Sequence, residues 1–156
     1  MEKKFNILEK IIKYNFKKKS LLEKAVTHKS FNNNINNEKL EFLGDRVLGL
    51  TISEILLEKY PGEKEGVIDK KFANLVNKKT CSLIAKKIDL KKFILLGSSH
   101  RKLDRSSDKI TSDCLEAIVG AIYLDGGLKS AEKFIHHFWE EYLLKSNITL
   151  IDSKTK

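Results

Sequence analysis

The sequence predicts an all-α fold, one helical bundle, on three observations. Apolar residues recur at helical spacing along most of the chain, strand-like alternation is absent, and two strings of acids lie inside apolar helical runs. With 156 residues, 41% of them hydrophobic, the chain is long enough for one domain with its own core. No internal repeat divides it.

Taken in order, Phe5, Leu8, Ile11 and Ile12 form the stripe of a first helix, and Ser20 is placed to cap a short second helix running through Val26. The Asn-rich stretch Asn32 to Asn37 is a loop. A long helix follows and stops near Pro61-Gly62. The next is expected from about Lys64 to Lys87, with Ile68, Phe72, Leu75, Val76, Leu83 and Ile84 facing inward, then a short helical piece around Leu90 to Leu95. The polar stretch Ser98 to Lys109 is a loop. The helix after it ends at Gly126-Gly127, and Leu128 to Leu144 resumes with Phe134, Phe138, Trp139 and Tyr142. Residues 147–156 are mostly polar, without a packing stripe, and read as a linker or frayed end.

The first acid string runs Glu38-Lys-Leu-Glu-Phe-Leu-Gly-Asp-Arg-Val47. At about 100° per residue, Glu41 and Asp45 point within about 60° of Glu38, so the three acids share one face. Leu40, Leu43, Val47 and Leu50 occupy the opposite face, and Phe42, Leu48, Gly49 and Ile52 flank the acids. A helix apolar nearly all round is expected to meet little water. Like charges buried there are costly, or take up protons, unless cations compensate them.

The second string, Ser112-Asp-Cys-Leu-Glu-Ala-Ile-Val-Gly-Ala-Ile-Tyr-Leu124, puts Asp113 and Glu116 side by side at i and i+3. Gly44 and Gly49 in one helix, and Ala117, Gly120 and Ala121 in the other, would let the two backbones cross closely. Oxygen ligands without convergent His or Cys suit Mg²⁺, with Mn²⁺ as a substitute, rather than zinc. Phosphoryl transfer is the usual chemistry of such a site.

The string Asn37 to Leu48 resembles the ribonuclease III signature Asn-Glu-Arg-Leu-Glu-Phe-Leu-Gly-Asp-x-Val-Leu, with Lys39 in the Arg place. Thr27-His28-Lys29-Ser30 is similar to that family's Thr-His-x-Ser motif, and Asp113 to Gly127 to its second signature, so the resemblance covers roughly residues 5 to 145. It implies the nuclease-domain helical fold over 1–146 and a metal-binding catalytic set of Glu41, Asp45, Asp113 and Glu116. Glu38 and Glu65 would be secondary acids nearer the edge. It further implies a homodimer that cuts double-stranded RNA to 5′-phosphate and 3′-hydroxyl ends, in ribosomal RNA and other RNA processing, while the lack of a membrane span or signal-peptide core in the sequence makes the cytosol the expected compartment. Phe42 would insert into a socket on the partner subunit. Asp152 to Lys156 looks like the start of a connector to a double-stranded RNA-binding domain. Asp69 and Phe72 stand where the family commonly has Ser and Arg, and Gly97 to Lys102 departs from its usual Gly-Lys-Gly-Glu-like wording.

Charge agrees with a polyanionic partner: 30 Lys and Arg against 21 Asp and Glu give +9 and a pI near 9.4. Nine Lys fall in the first 30 residues against three Glu, and Arg101, Lys102, Arg105 and Lys109 lie in the loop. Which of these touch RNA is left open. No run reaches the roughly 20 apolar residues of a membrane span, and no signal peptide follows Met1. Cys81 and Cys114 form no metal or redox pair and read as packed thiols, and His28, His100, His136 and His137 have no ligand spacing. The alternative is a non-catalytic RNA-binding or ribosome-associated domain of the same fold, which would be expected to lose its acids. A di-iron bundle would need Glu-x-x-His pairs, and none occurs.

Overall fold

A computed structural model describes residues 2–100 and 107–155, with side chains as far as 147. Six α-helices follow one another: α1 (Glu2–Ile12), α2 (Lys19–Ala25), α3 (Glu38–Lys59), α4 (Glu65–Val76), α5 (Lys78–Lys87) and α6 (Asp108–Thr155), with a 3₁₀ turn at Leu90–Phe93 before α6. Among the described residues there is no strand, only a single parallel bridge between Thr27 and Leu95. The all-α expectation holds. No described helix is long and apolar enough to cross a membrane.

The centre of the bundle is the pair α3 and α6, against which α5, α4 and α2 pack. The core they enclose includes Leu48, Ile52 and Leu56 of α3 and Leu115, Ile118, Ile122 and Trp139 of α6, all fully buried. The Trp139 indole N–H donates to the Leu75 carbonyl at 2.8 Å, fixing α4 to the far part of α6. At Gly127 (φ 85°, ψ 177°) α6 breaks into two arms, in the left-handed region that glycine enters without steric cost. The expected helix end at Gly126-Gly127 is therefore found. The backbone of the presumed loose end stays helical to Thr155.

Four sequence expectations are corrected. The single helix from Lys64 to Lys87 is two, because Asn77 adopts extended backbone (φ −71°, ψ 166°) and its side chain accepts the Thr80 amide at 2.9 Å, capping α5. Leu83, expected inside, is then exposed. Ser20 is not a cap: α2 begins at Lys19, and Lys18 before it makes no side-chain capping bond. Much of the basic loop, residues 101–106, lies outside the described residues. Lys109 belongs to α6 rather than to that loop.

Polar motif residues act as ties. Asn37 donates its amide to the Thr27 carbonyl at 2.9 Å and its Nδ2 to the Ala25 carbonyl at 3.2 Å, which sets the start of α3 against the end of α2. Ser30 Oγ accepts the Gly97 amide at 3.0 Å and lies 2.8 Å from His28 Nδ1. Asp125 accepts hydrogen bonds from the Tyr14 hydroxyl at 2.7 Å and from the Lys17 and Lys18 amides, both at 2.9 Å. Burial opposes ionisation of Asp125, but those three donors hold its carboxyl below the usual range. The lysine-rich segment after α1 is thereby fastened to the helix that carries Asp113 and Glu116.

Candidate active site

The two acid strings meet where α3 crosses the first arm of α6, and two glycines set the distance. A Cβ at Gly44 would stand 1.7 Å from the Glu116 carbonyl oxygen, and one at Gly120 2.3 Å from the Leu40 carbonyl oxygen. The backbones touch, as the small-residue pattern predicts. Gly49 plays no part in the crossing and packs instead against the Phe72 ring.

Glu41, one turn before Gly44, is thus brought beside Asp113 and Glu116. One carboxylate oxygen from each of the three lies within 4.8 Å of the others. Opposite oxygens around a six-coordinate Mg²⁺ are about 4.2 Å apart, so small side-chain rotations suffice for the trio to share one hard divalent cation. The all-oxygen donor set fits such an ion.

Asp45 lies one turn further along α3, placed so that a protonated Glu116 carboxyl can donate to it. Glu116 is only 7% exposed. Burial, the Asp45 hydrogen bond and the charges of Asp45, Glu41 and Asp113 together push its carboxyl up to about 9. Glu41 is raised too, by burial and then by Asp113 and Asp45, while Lys78 and Lys109 pull it down. Beneath the acids lies Cys81, whose buried thiol is held protonated by desolvation and by the neighbouring Glu116 and Asp45. Both cysteines are packed thiols, as expected.

The expectation of a wholly buried acid set is corrected: Glu116 alone is buried, and Glu41, Asp45 and Asp113 are half-buried at a rim open to solvent. The secondary acids do not join the trio. Glu38 is exposed and pairs with Lys29 at 3.8 Å, and Glu65 sits in the exposed first turn of α4.

Three cations around the acids were not singled out for this place by the sequence. Lys109 Nζ lies 2.8 Å from Asp113 Oδ2, and Lys78 Nζ 3.3 Å from Asp113 Oδ1. Arg46 pairs with Asp45 at 3.3 Å, and its guanidinium lies 3.8 Å over the Phe42 ring. Lys109 was legible from its i, i+4 spacing to Asp113. Lys78 comes from another element, and no local signal marks it.

A second correction concerns α3, which is not apolar and hidden all round. Phe42, Leu50 and Leu57 are 60%, 61% and 64% exposed and form one stripe along the helix. An open groove of ≈ 800 Å³ beside the stripe is lined by Leu50, Ser53, Leu57, Gly127, Leu128 and Glu132 among others. Phe42 is therefore no core residue.

Residues 18–143 match the model of the family described as Ribonuclease-III-like. The chain is 58% identical over 149 residues to Ribonuclease 3 of Pelagibacter ubique, covering 96% of this chain and 67% of that protein. It is 43% identical over 155 residues to Ribonuclease 3 of Ehrlichia ruminantium, covering 96% and 68%. The chain thus spans about two thirds of the length of these relatives. Among solved structures, the nuclease domain of ribonuclease III from Campylobacter jejuni, described with structural flexibility in the region involved in dimer formation, superposes with a TM-score of 0.85 at 42% identity, covering 87% of this chain and 96% of that one. Dicer from Pichia stipitis shares the fold, with a TM-score of 0.65 at 23% identity over 85% of this chain and 59% of that one.

Proposed function

Because this chain belongs to the ribonuclease III family, a family of endoribonucleases, we propose that it hydrolyses phosphodiesters of double-stranded RNA with Mg²⁺, leaving 5′-phosphate and 3′-hydroxyl ends. The observation that carries the reading is the convergence of Glu41, Asp113 and Glu116 from two distant helices to within 4.8 Å. Mn²⁺ would substitute for Mg²⁺ at the same oxygens.

In this reading Glu41, Asp45, Asp113 and Glu116 form the metal-binding set, supported for Glu41, Asp113 and Glu116 by their convergence and for Asp45 by its place beside Glu116. Bound there, a divalent ion would supply Lewis acidity and offset negative charge on the phosphate oxygens. The remaining work is positioning. The half-open rim leaves the acids accessible to a backbone lying across them, and A-form RNA presents such a backbone on either side of a wide minor groove. Glu38 and Glu65 stand too far out to hold the ion and would act at the margin of the substrate. The lysine-rich first 30 residues supply phosphate attraction, which makes binding steeply salt-dependent.

Cutting both strands requires two such sites, and a two-fold dimer provides them. The exposed stripe of α3 and the adjoining groove support a homodimer in which Phe42 enters the partner's groove. Processing of ribosomal RNA and other transcripts is the corresponding role, and the cytosol its compartment. Residues 147–156 are taken as the start of a connector to a double-stranded RNA-binding domain, supported by the wording of Asp152 to Lys156.

The test is incubation with a long RNA duplex and its single-stranded control, with Mg²⁺ and with chelator, for the wild type and Glu116→Gln. Duplex-only cutting that needs the ion, and is lost in Glu116→Gln while RNA binding persists, is the expected result. Wild-type cutting by Glu116→Gln removes the site assignment. Duplex binding without any cutting favours the non-catalytic alternative.

A further inference from the structure

We propose that Lys78 and Lys109 compete with the metal ion for Asp113, so that taking up the ion and turning two ammonium groups toward the substrate are one exchange. The inference rests on the metal-dependent reading of the site given above.

Both oxygens of Asp113 are engaged by ammonium groups, Oδ2 by Lys109 at 2.8 Å and Oδ1 by Lys78 at 3.3 Å. The two lysines come from different elements. Lys109 lies one turn before Asp113 on α6, and Lys78 is the first residue of α5. Asp113 is also one of the three carboxylates that converge within 4.8 Å. An ammonium left in place would face a divalent ion at about 4 to 5 Å, and that repulsion is only partly screened at a half-buried rim. The exchange conserves charge, because two monovalent groups leave as one divalent ion arrives.

Nothing in the packing resists the exchange. The Lys78 and Lys109 side chains are 59% and 70% exposed while Asp113 is 21% exposed, so the lysines swing outward on flexible stems and the carboxylate stays. Outward is also the direction from which a phosphate backbone reaches the acids. Metal and RNA binding are then positively coupled, each favouring the arrangement the other needs. Half-exposed ion pairs are weak, so the competition is a moderate one. It lowers ion affinity by roughly two- to tenfold per lysine.

The experiment is calorimetric titration of the full chain with Mn²⁺, without RNA, at about 0.3 M salt so that distant charges are screened. Lys78→Ala and Lys109→Ala are each expected to bind Mn²⁺ two- to tenfold more tightly than wild type. Lys109→Arg, which keeps the charge, should stay within twofold of wild type. So should Lys79→Ala, which removes an exposed neighbour with no bond to Asp113. Unchanged or weaker binding by both Lys78→Ala and Lys109→Ala overturns the competition, and equal tightening by Lys79→Ala reduces it to a general field effect and overturns it as well. Failure of the metal reading is separately visible, as Glu116→Gln binding Mn²⁺ as tightly as wild type. All the lysines substituted are exposed, and circular dichroism checks that the variants fold.

Discussion

Gly44→Ala should reverse the sign that helix propensity alone would give. In an unobstructed helix, alanine is favoured over glycine by about 1 kcal/mol. At position 44 the new Cβ would stand 1.7 Å from the Glu116 carbonyl oxygen and 2.9 Å from the Gly120 nitrogen, both backbone atoms that no rotamer change can move. Carbon and carbonyl oxygen tolerate about 3.3 Å, so α3 and α6 must part by roughly 1.6 Å at their crossing. Forcing that much displacement into a packed core costs about 1–3 kcal/mol or more. Taking the upper end of that cost against the gain of about 1 kcal/mol, we expect a net loss of about 2 kcal/mol, seen as a fall of roughly 1 M in the urea midpoint. The same opening draws Glu41 away from Glu116, so Mn²⁺ binding should weaken in parallel. Gly49→Ala is the control. Its Cβ would meet the Phe72 ring at 3.5 Å, an ordinary contact, and the variant should be neutral or up to about 1 kcal/mol more stable. A Gly44→Ala protein as stable as Gly49→Ala would refute the account of the crossing.

Phe42→Glu, placed on a ring that is 60% exposed, should raise the dimer dissociation constant at least about thirtyfold, as for a buried aromatic anchor worth some 2 kcal/mol, and should lower cleavage with it. A fully dimeric mutant in sedimentation would contradict this. Because the Glu116 carboxyl is pushed up to about 9, an ion must displace its proton at neutral pH. Between pH 6 and 8 apparent Mn²⁺ affinity should rise about tenfold per pH unit, with about one proton released per ion. Titration heats that do not vary with buffer ionisation would count against it. In chelator the same carboxyl, raised from 4.5, contributes stability that is complete below about pH 4.5 and lost as pH rises toward 9. Glu116→Gln should flatten that slope in thermal melts. Asn77→Ala removes the cap on Thr80 and should cost about 1 kcal/mol, lowering the melting temperature by about 2–4 °C; an unchanged melt would show that the break between α4 and α5 is held by other contacts.

The acid helices were legible because helical spacing and apolar neighbours are both local, and because Gly44 and Gly120 are small where two backbones must touch. The boundary at Asn77 was not, since the apolar stripe runs on from Leu75 to Ile84 across it and periodicity outweighs a single capping residue. The exposure of Phe42, Leu50 and Leu57 was hidden for a different reason. An apolar patch left on the surface and one buried in the core have the same composition. Lys78 illustrates a third limit: its approach to Asp113 depends on where α5 lands on α6, a tertiary fact with no trace in the residues around it.

Asp125 lies nine residues beyond Glu116 on the same signature helix, and its three bonds to Tyr14, Lys17 and Lys18 give it work of another kind. Any survey that scores variants by lost cutting alone would rank the two acids together. One is a scaffold strut and the other the proposed ligand, and only a parallel measure of folded fraction tells an inactive enzyme from an unmade one.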